Sequence, residues 1–193
     1  MGDDHAADAR SQKQKMLAGE LYIADDPELA RDADIAKRAM AEFARRYEHD
    51  VGAAHAVLKG LFRELGDTAH IRAPLYVDYG FNISVGEGVF ANFGLMALDV
   101  APITIGRDVQ IGPNVQLLTP THPIDAQARR DKLEAGAPIV LHDNVWLGGG
   151  VIVLAGVTIG EDSVIGAGAV VTRDIPANVV AVGNPARVIR QLP

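Results

Sequence analysis

A branched aliphatic residue recurs at every sixth position through the second part of this chain, a period that suits neither an α-helix nor an ordinary strand. Aligned on Ile105, Ile111, Leu141, Leu147, Val153, Ile159, Ile165 and Val171, the fourth position reads Asp108, Asn114, Asn144, Gly150, Gly156, Asp162, Gly168 and Asp174. All are Gly, Asn or Asp, the types that best tolerate the left-handed backbone region of a tight corner. Eight in a row has a chance frequency on the order of one in ten to the fifth, so the repeat dominates every other signal. The fifth position is Val109, Val115, Val145, Val151, Val157, Ser163, Ala169 and Ile175, mostly small or β-branched. Between corners, side chains alternate in, out, in, as at Val109, Gln110 and Ile111. Three such faces predict a triangular coil of about 18 residues, with successive turns stacked at roughly 4.8 Å. The expected fold is mainly β, a parallel β-helix of hexapeptide repeats. Its hand is not fixed by the period.

The composition changes near residue 70. Only 5 of the 20 glycines precede it, and residues 35–47 and 57–65 space their apolar side chains three and four apart, as amphipathic helices do. Residues 1–70 therefore read as an N-terminal helical segment packing on the β-helix, and 71–193 as the β-helix itself, with a loop at 118–140 and a C-terminal tail. A chain of 193 residues suits one such core. The net charge of −7 offers no footprint for a nucleic acid or an anionic membrane. The aliphatic run at 151–159 is about half of the roughly 20 residues that a membrane helix needs. The start of the chain, with Asp3 and Asp4, has no apolar run of the secretory type, so a cytoplasmic location is expected. The absence of Cys excludes disulfides, thiolate metal sites and a cysteine nucleophile.

Two features exceed what a solitary prism needs. Trp146, Ile152, Val164 and Val170 occupy outward positions, which asks for a cover: the N-terminal helices or a second copy of the chain. The repeat also lapses over 118–140 and resumes in phase, since Leu117 and Leu141 are 24 residues apart. A structureless excursion inside a regular solenoid is more often functional than decorative. It holds one histidine, His122, between Thr121 and Pro123. His5 lies in the N-terminal tail, His49, His55 and His70 lie in or beside the helices, and His142 sits at a repeat corner. His122 is thus the catalytic candidate, although one loop histidine is a weak motif by itself.

Met16-Leu-Ala-Gly-Glu-Leu-Tyr22, Asp26-Pro-Glu-Leu29, Asp78-Tyr-Gly80, Phe90-Ala-Asn-Phe93, Thr121-His-Pro123, Asn144-Val-Trp-Leu-Gly148 and Gly183-Asn-Pro-Ala-Arg187 together resemble the maltose, galactoside and nodulation-factor acetyltransferases. The resemblance runs from about residue 16 to the end and keeps the order and spacing of these blocks. It implies a left-handed β-helix and a homotrimer with active sites between adjacent prisms. It also implies transfer of an acetyl group from acetyl-CoA to a sugar hydroxyl. His122 falls on the family's catalytic histidine, and an imidazole with a pKa near 6.5 suits a general base for a hydroxyl. Asn92 falls on the active-site asparagine, a bond to the acceptor or to the tetrahedral intermediate. Asp78 and Asp99 fall at or beside acceptor-contact positions, where carboxylates accept from sugar hydroxyls. One acidic acceptor contact of the galactoside enzymes is replaced here by Ala24, with Asp25 and Asp26 after it, so a galactoside acceptor is not implied and neither aspartate is assigned.

For acetyl-CoA the family positions are Trp146, Gly149, Ala167, Thr172, Arg173, Arg187 and Arg190. Arginines suit the nucleotide phosphates, and from Arg173 onward three Arg face Asp174 alone. Gly149 replaces a hydroxyl side chain of some relatives and could offer only backbone. Two other readings of the prism stand beside this one. A γ-carbonic-anhydrase-like zinc site needs three converging histidines, whereas the repeats and loop hold only His122 and His142, so no metal is expected. A non-catalytic scaffold gives no reason for the His122 loop. An acetyltransferase for a non-sugar acceptor is also compatible, because the repeat encodes the donor groove better than the acceptor pocket.

Overall fold

A computed structural model describes residues 9–193; Asp3, Asp4 and His5 lie outside them. Helix α1 (Gln12–Leu17) starts at Ser11, whose side chain forms a reciprocal capping box with Gln14. Helix α2 (Pro27–Tyr47) has Pro at its first position and Asp26 as its cap, whose Oδ1 accepts from the N–H groups of Glu28 and Leu29 at 2.8 and 3.2 Å. Helix α3 (Val51–Leu61) starts at Asp50 in the same way. Their buried stripes, Ala36 and Phe43 on α2 and Ala54, Leu58 and Leu61 on α3, join the prism core at its first-coil end. The helices therefore cap one end of the prism and leave Trp146, in its middle, 55% exposed. No helix among the described residues is long and apolar enough to cross a membrane.

The rest of the chain is a left-handed parallel β-helix. Its first face stacks Glu64–Leu65, Ile83–Val85, Ile103–Ile105, Ile139–Leu141 and Thr158–Ile159. The second face stacks His70–Ile71, Phe90–Ala91, Gln110–Ile111, Trp146–Leu147, Val164–Ile165 and Val179–Val182, and the third Leu75–Val77, Leu95–Leu98, Gln116–Leu118, Ile152–Leu154 and Val170–Val171. The inward columns, such as Ile105, Leu141 and Ile159 or Leu117, Val153 and Val171, are buried. Each such Leu or Ile adds about 1.5–3 kcal/mol of apolar transfer, which explains why the repeat specifies so little else.

The corners follow the expected chemistry with one exception. Asp108, Asn114, Asn144, Gly150, Gly156, Asp162 and Gly168 all have positive φ. Gly88 shows why glycine is needed where it occurs: at φ 71° a Cβ there would also overlap the Asp108 carboxylate stacked on it from the next coil. Asp174 does not adopt this conformation. The last coil is shortened, with Ile165 pairing Ala181 only 16 residues on, and Asn178 takes the left-handed corner instead. Asp174 accepts from the Thr158 N–H at 2.7 Å.

Other boundaries also differ from expectation. The chain enters the first face at Glu64–Leu65, so helix stops at Leu61 and the expected division at residue 70 falls inside the first coil. The first coils advance 20 residues rather than 18, as Ile71, Ala91 and Ile111 show, because their third-to-first corners are longer. The C-terminal tail is a strand, Arg187–Gln191, antiparallel to Val179–Val182. The 118–140 excursion is structured as well. Pro120–Thr121 pairs antiparallel with Leu133–Gly136, which pairs in turn with Tyr22–Ile23, and helix α4 (Ala126–Arg130) closes the turn. Backbone pairing to the N-terminal segment replaces the hydrogen bonds that a bare loop would have left to water.

Candidate active site

The excursion leaves the prism at the corner between the third and first faces. Pro120 stands opposite Gly136 and Thr121 opposite Ala135, so the same register continued by one residue sets His122 across from Glu134. On the other side of that strand Tyr22 is opposite Glu134. Directly opposed residues of an antiparallel ladder project to one face, which puts imidazole, carboxylate and phenol in one row. Burial pushes the Glu134 carboxyl up, and the neighbouring His122 pulls it the other way. Tyr22 is buried, and that burial, with Glu134 beside it, pushes its phenol up. Glu134 escaped the sequence reading because only the hairpin register brings it to His122.

The same corner carries Asp78 and Asp99, in different roles. Asp99 is 0% exposed. Its Oδ1 accepts from the N–H groups of Asp78 and Tyr79 at 3.1 and 2.9 Å, and its Oδ2 from that of Asn82 at 3.2 Å. The Asn82 amide donates back to the Asp99 carbonyl at 2.8 Å. At the position expected at or beside the acceptor contact, the Asp99 carboxylate is enclosed and holds the five-residue corner 78–82. Asp78 is half-buried and its side chain makes no hydrogen bond within the described residues. Its carboxyl is pushed up to about 6, first by burial and then by the charges of Asp99 and Glu134. Because the folded-state value exceeds the ordinary 3.8, the associated stability is present at acid pH and lost as pH rises between the two values. Asp78→Asn is expected to leave the melting temperature unchanged below that window and to raise it at pH 7.5, by about 2 kcal/mol of stability. Thermal melts at the two pH values check this; equal melting temperatures for variant and parent at pH 7.5 would contradict the repulsion.

Asp25 and Asp26 are occupied elsewhere. Asp25 pairs with Lys132 of the excursion and Asp26 caps α2. Among the described residues no three acidic or histidine side chains are grouped to hold a metal ion, and His142 lies at a different corner from His122.

The remaining candidates mark the other edge of the third face. Asn92, Gly149 and Ala167 occupy the corner between the second and third faces, stacked by the bonds from Asn92 N–H to Ile111 O, Gly112 N–H to Leu147 O and Gly148 N–H to Ile165 O. A Cβ at Gly148 would lie 2.5 Å from the Ala167 nitrogen, so the corner is narrow. Asn92 and Trp146 line a shallow groove of about 180 Å³ with Phe90, Gln110, Ile111 and Gly112. Thr172 and Arg173 stand back at the third-to-first corner, the one from which His122 projects. Arg187 and Arg190 lie on the closing strand, where Arg190 pairs Val180 above the Trp146–Val164 column. One chain thus carries its candidates in two separate groups, His122 with Asp78 and Glu134 at one edge and Asn92 with Trp146 by another. No hydrogen bond joins them within the described residues.

The maltose acetyltransferase hexapeptide capping motif matches residues 15–66, and the bacterial transferase hexapeptide (six repeats) matches 138–173. Nodulation protein L of Rhizobium meliloti is 46% identical over 183 residues, covering 93% of this chain and 98% of that protein. The crystal structure of a maltose O-acetyltransferase from Clostridium difficile 630 superposes with a TM-score of 0.94 at 45% identity, over 96% of this chain and 100% of that one. A galactoside acetyltransferase in complex with coenzyme A gives 0.90 at 37%, over 95% and 92%. Repeat, capping segment and whole-chain superposition agree: the chain belongs to the hexapeptide-repeat acetyltransferase family, with the galactoside and maltose O-acetyltransferases and nodulation protein L.

Proposed function

We propose that this protein transfers the acetyl group of acetyl-CoA to a hydroxyl of a sugar or oligosaccharide, in the cytoplasm, as a homotrimer. The observation that carries the reading is the placement of His122, on a paired hairpin and opposite Glu134, at the edge of a prism whose other edge presents Asn92. His122 accepts the hydroxyl proton as the oxygen attacks the thioester carbonyl, while Glu134 favours the imidazolium that forms. The Asn92 amide donates to the oxygen of the tetrahedral intermediate. Collapse breaks the carbon–sulfur bond, and the departing thiolate takes the proton from His122, so the imidazole returns neutral. Asp78 accepts hydrogen bonds from the acceptor sugar. Trp146, Gly149, Ala167, Thr172, Arg173, Arg187 and Arg190 form the donor groove, with Arg on the phosphates and backbone on the pantetheine amides.

The subunit arrangement is supported by what one chain leaves uncovered. Ile124, at the tip of the excursion, is 96% exposed, and Trp146 is 55% exposed. Large apolar groups at both edges suit an edge-to-edge contact between copies, and such a contact would join the two groups of candidates. A screen for CoA release with glucosyl and galactosyl sugars and chitin-like oligosaccharides, beside amine and amino-acid acceptors, tests the reaction. Light scattering tests the assembly. Turnover on a sugar by a trimer is the expected result; a monomer that turns over would remove the intersubunit site, and release only with amines would reject the acceptor class.

A further inference from the structure

Arg72 stands at the second-to-third corner one coil before Asn92, its N–H bonded to Ala91 O at 2.9 Å. Its guanidinium lies 5.2 Å from the Phe90 ring centre and 4.7 Å from that of Phe93. Its Nη1 is 3.4 Å from Asn92 Oδ1, and the same oxygen accepts from the Phe93 N–H at 2.8 Å. Two donors converge on one end of the Asn92 amide, so chemistry requires that end to be the oxygen. Nδ2 has no partner within the described residues and remains free to donate. A planar guanidinium can rest on two aromatic faces while donating from its edge, which an ammonium cannot do as well.

We infer that Arg72 is a positioning residue for acetyl transfer: it locks the Asn92 amide with its oxygen turned away, so that the N–H of Nδ2 meets the oxyanion of the intermediate. Were the amide to turn over, a carbonyl oxygen would face that developing negative charge. This inference rests on the reading of Asn92 as stabiliser of the intermediate.

The test is a double-mutant cycle in the full-length protein with acetyl-CoA and its best acceptor. Arg72→Met keeps an unbranched chain over the rings and removes the donor; kcat is expected to fall about tenfold with both KM values within twofold. Arg72→Ala removes packing as well and is expected to give the same kcat at a lower melting temperature. Asn92→Ala is expected to lower kcat about 10²-fold, and on that background Arg72→Met should cost less than twofold. Parental kcat in Arg72→Met, or an undiminished tenfold loss without Asn92, would overturn the role of Arg72 alone. Parental kcat in Asn92→Ala would overturn the reading of Asn92 and the inference with it.

Discussion

Replacing His122 by Ala is expected to lower kcat by about 10²-fold or more while leaving the Kd for acetyl-CoA within about threefold of the parent. The separation follows from geometry. His122 projects from the excursion, whereas the donor candidates Gly149 and Ala167 belong to a corner whose backbone bonds do not involve it. Removing the imidazole would delete the proposed proton acceptor and leave the backbone bonds of that corner intact. Residual turnover above the uncatalysed rate would come from positioning and from the Asn92 amide. Steady-state kinetics with calorimetric titration of acetyl-CoA measures both quantities. Turnover within threefold of the parent would remove His122 from the mechanism, and a parallel collapse of donor affinity would make its role one of binding.

The largest effect on stability is expected at Asp99. Asp99→Ala leaves the N–H groups of Asp78, Tyr79 and Asn82 without their acceptor in a buried corner. Unsatisfied buried donors cost about 1–3 kcal/mol each, and part of that is recovered by relaxation, so a loss of about 3 kcal/mol is expected. For a chain of this length that lowers the melting temperature by about 6–12 °C. Asp99→Asn keeps one acceptor oxygen and should lose less than half as much. Burial pushes the Asp99 carboxyl up while the backbone N–H groups pull it back; the carboxylate is held there by donors, not by a counter-ion. A melting temperature within 2 °C of the parent for Asp99→Ala would show that the corner does not depend on it.

Asp99 also shows where sequence reading stops. Placing a family position on it is possible from the surrounding residues, but whether its carboxylate faces an acceptor or the backbone depends on the coil above and the coil below. The same holds for Glu134, which reaches His122 through hairpin register and not through sequence spacing. It holds for Arg72, 20 residues from Asn92 and one coil away. By contrast, the corners from Asp108 to Gly168 were legible one by one, because the positive φ of a tight turn is a property of the residue that occupies it. The exception, Asp174, arises where the last coil shortens and the repeat loses its frame.

What the amino-acid sequence settled by itself was the period, and with it three faces and inward aliphatic columns, beside a helical spacing in the N-terminal segment, because alternation and corner chemistry act between near neighbours. Tertiary structure alone decided that the excursion pairs Pro120–Thr121 with Leu133–Gly136 as a hairpin, that Asp99 braces a corner, and that His122 and Asn92 fall on different edges of one prism. Those outcomes depend on stacking distances and strand register between residues a coil or more apart, which no local pattern of side chains encodes.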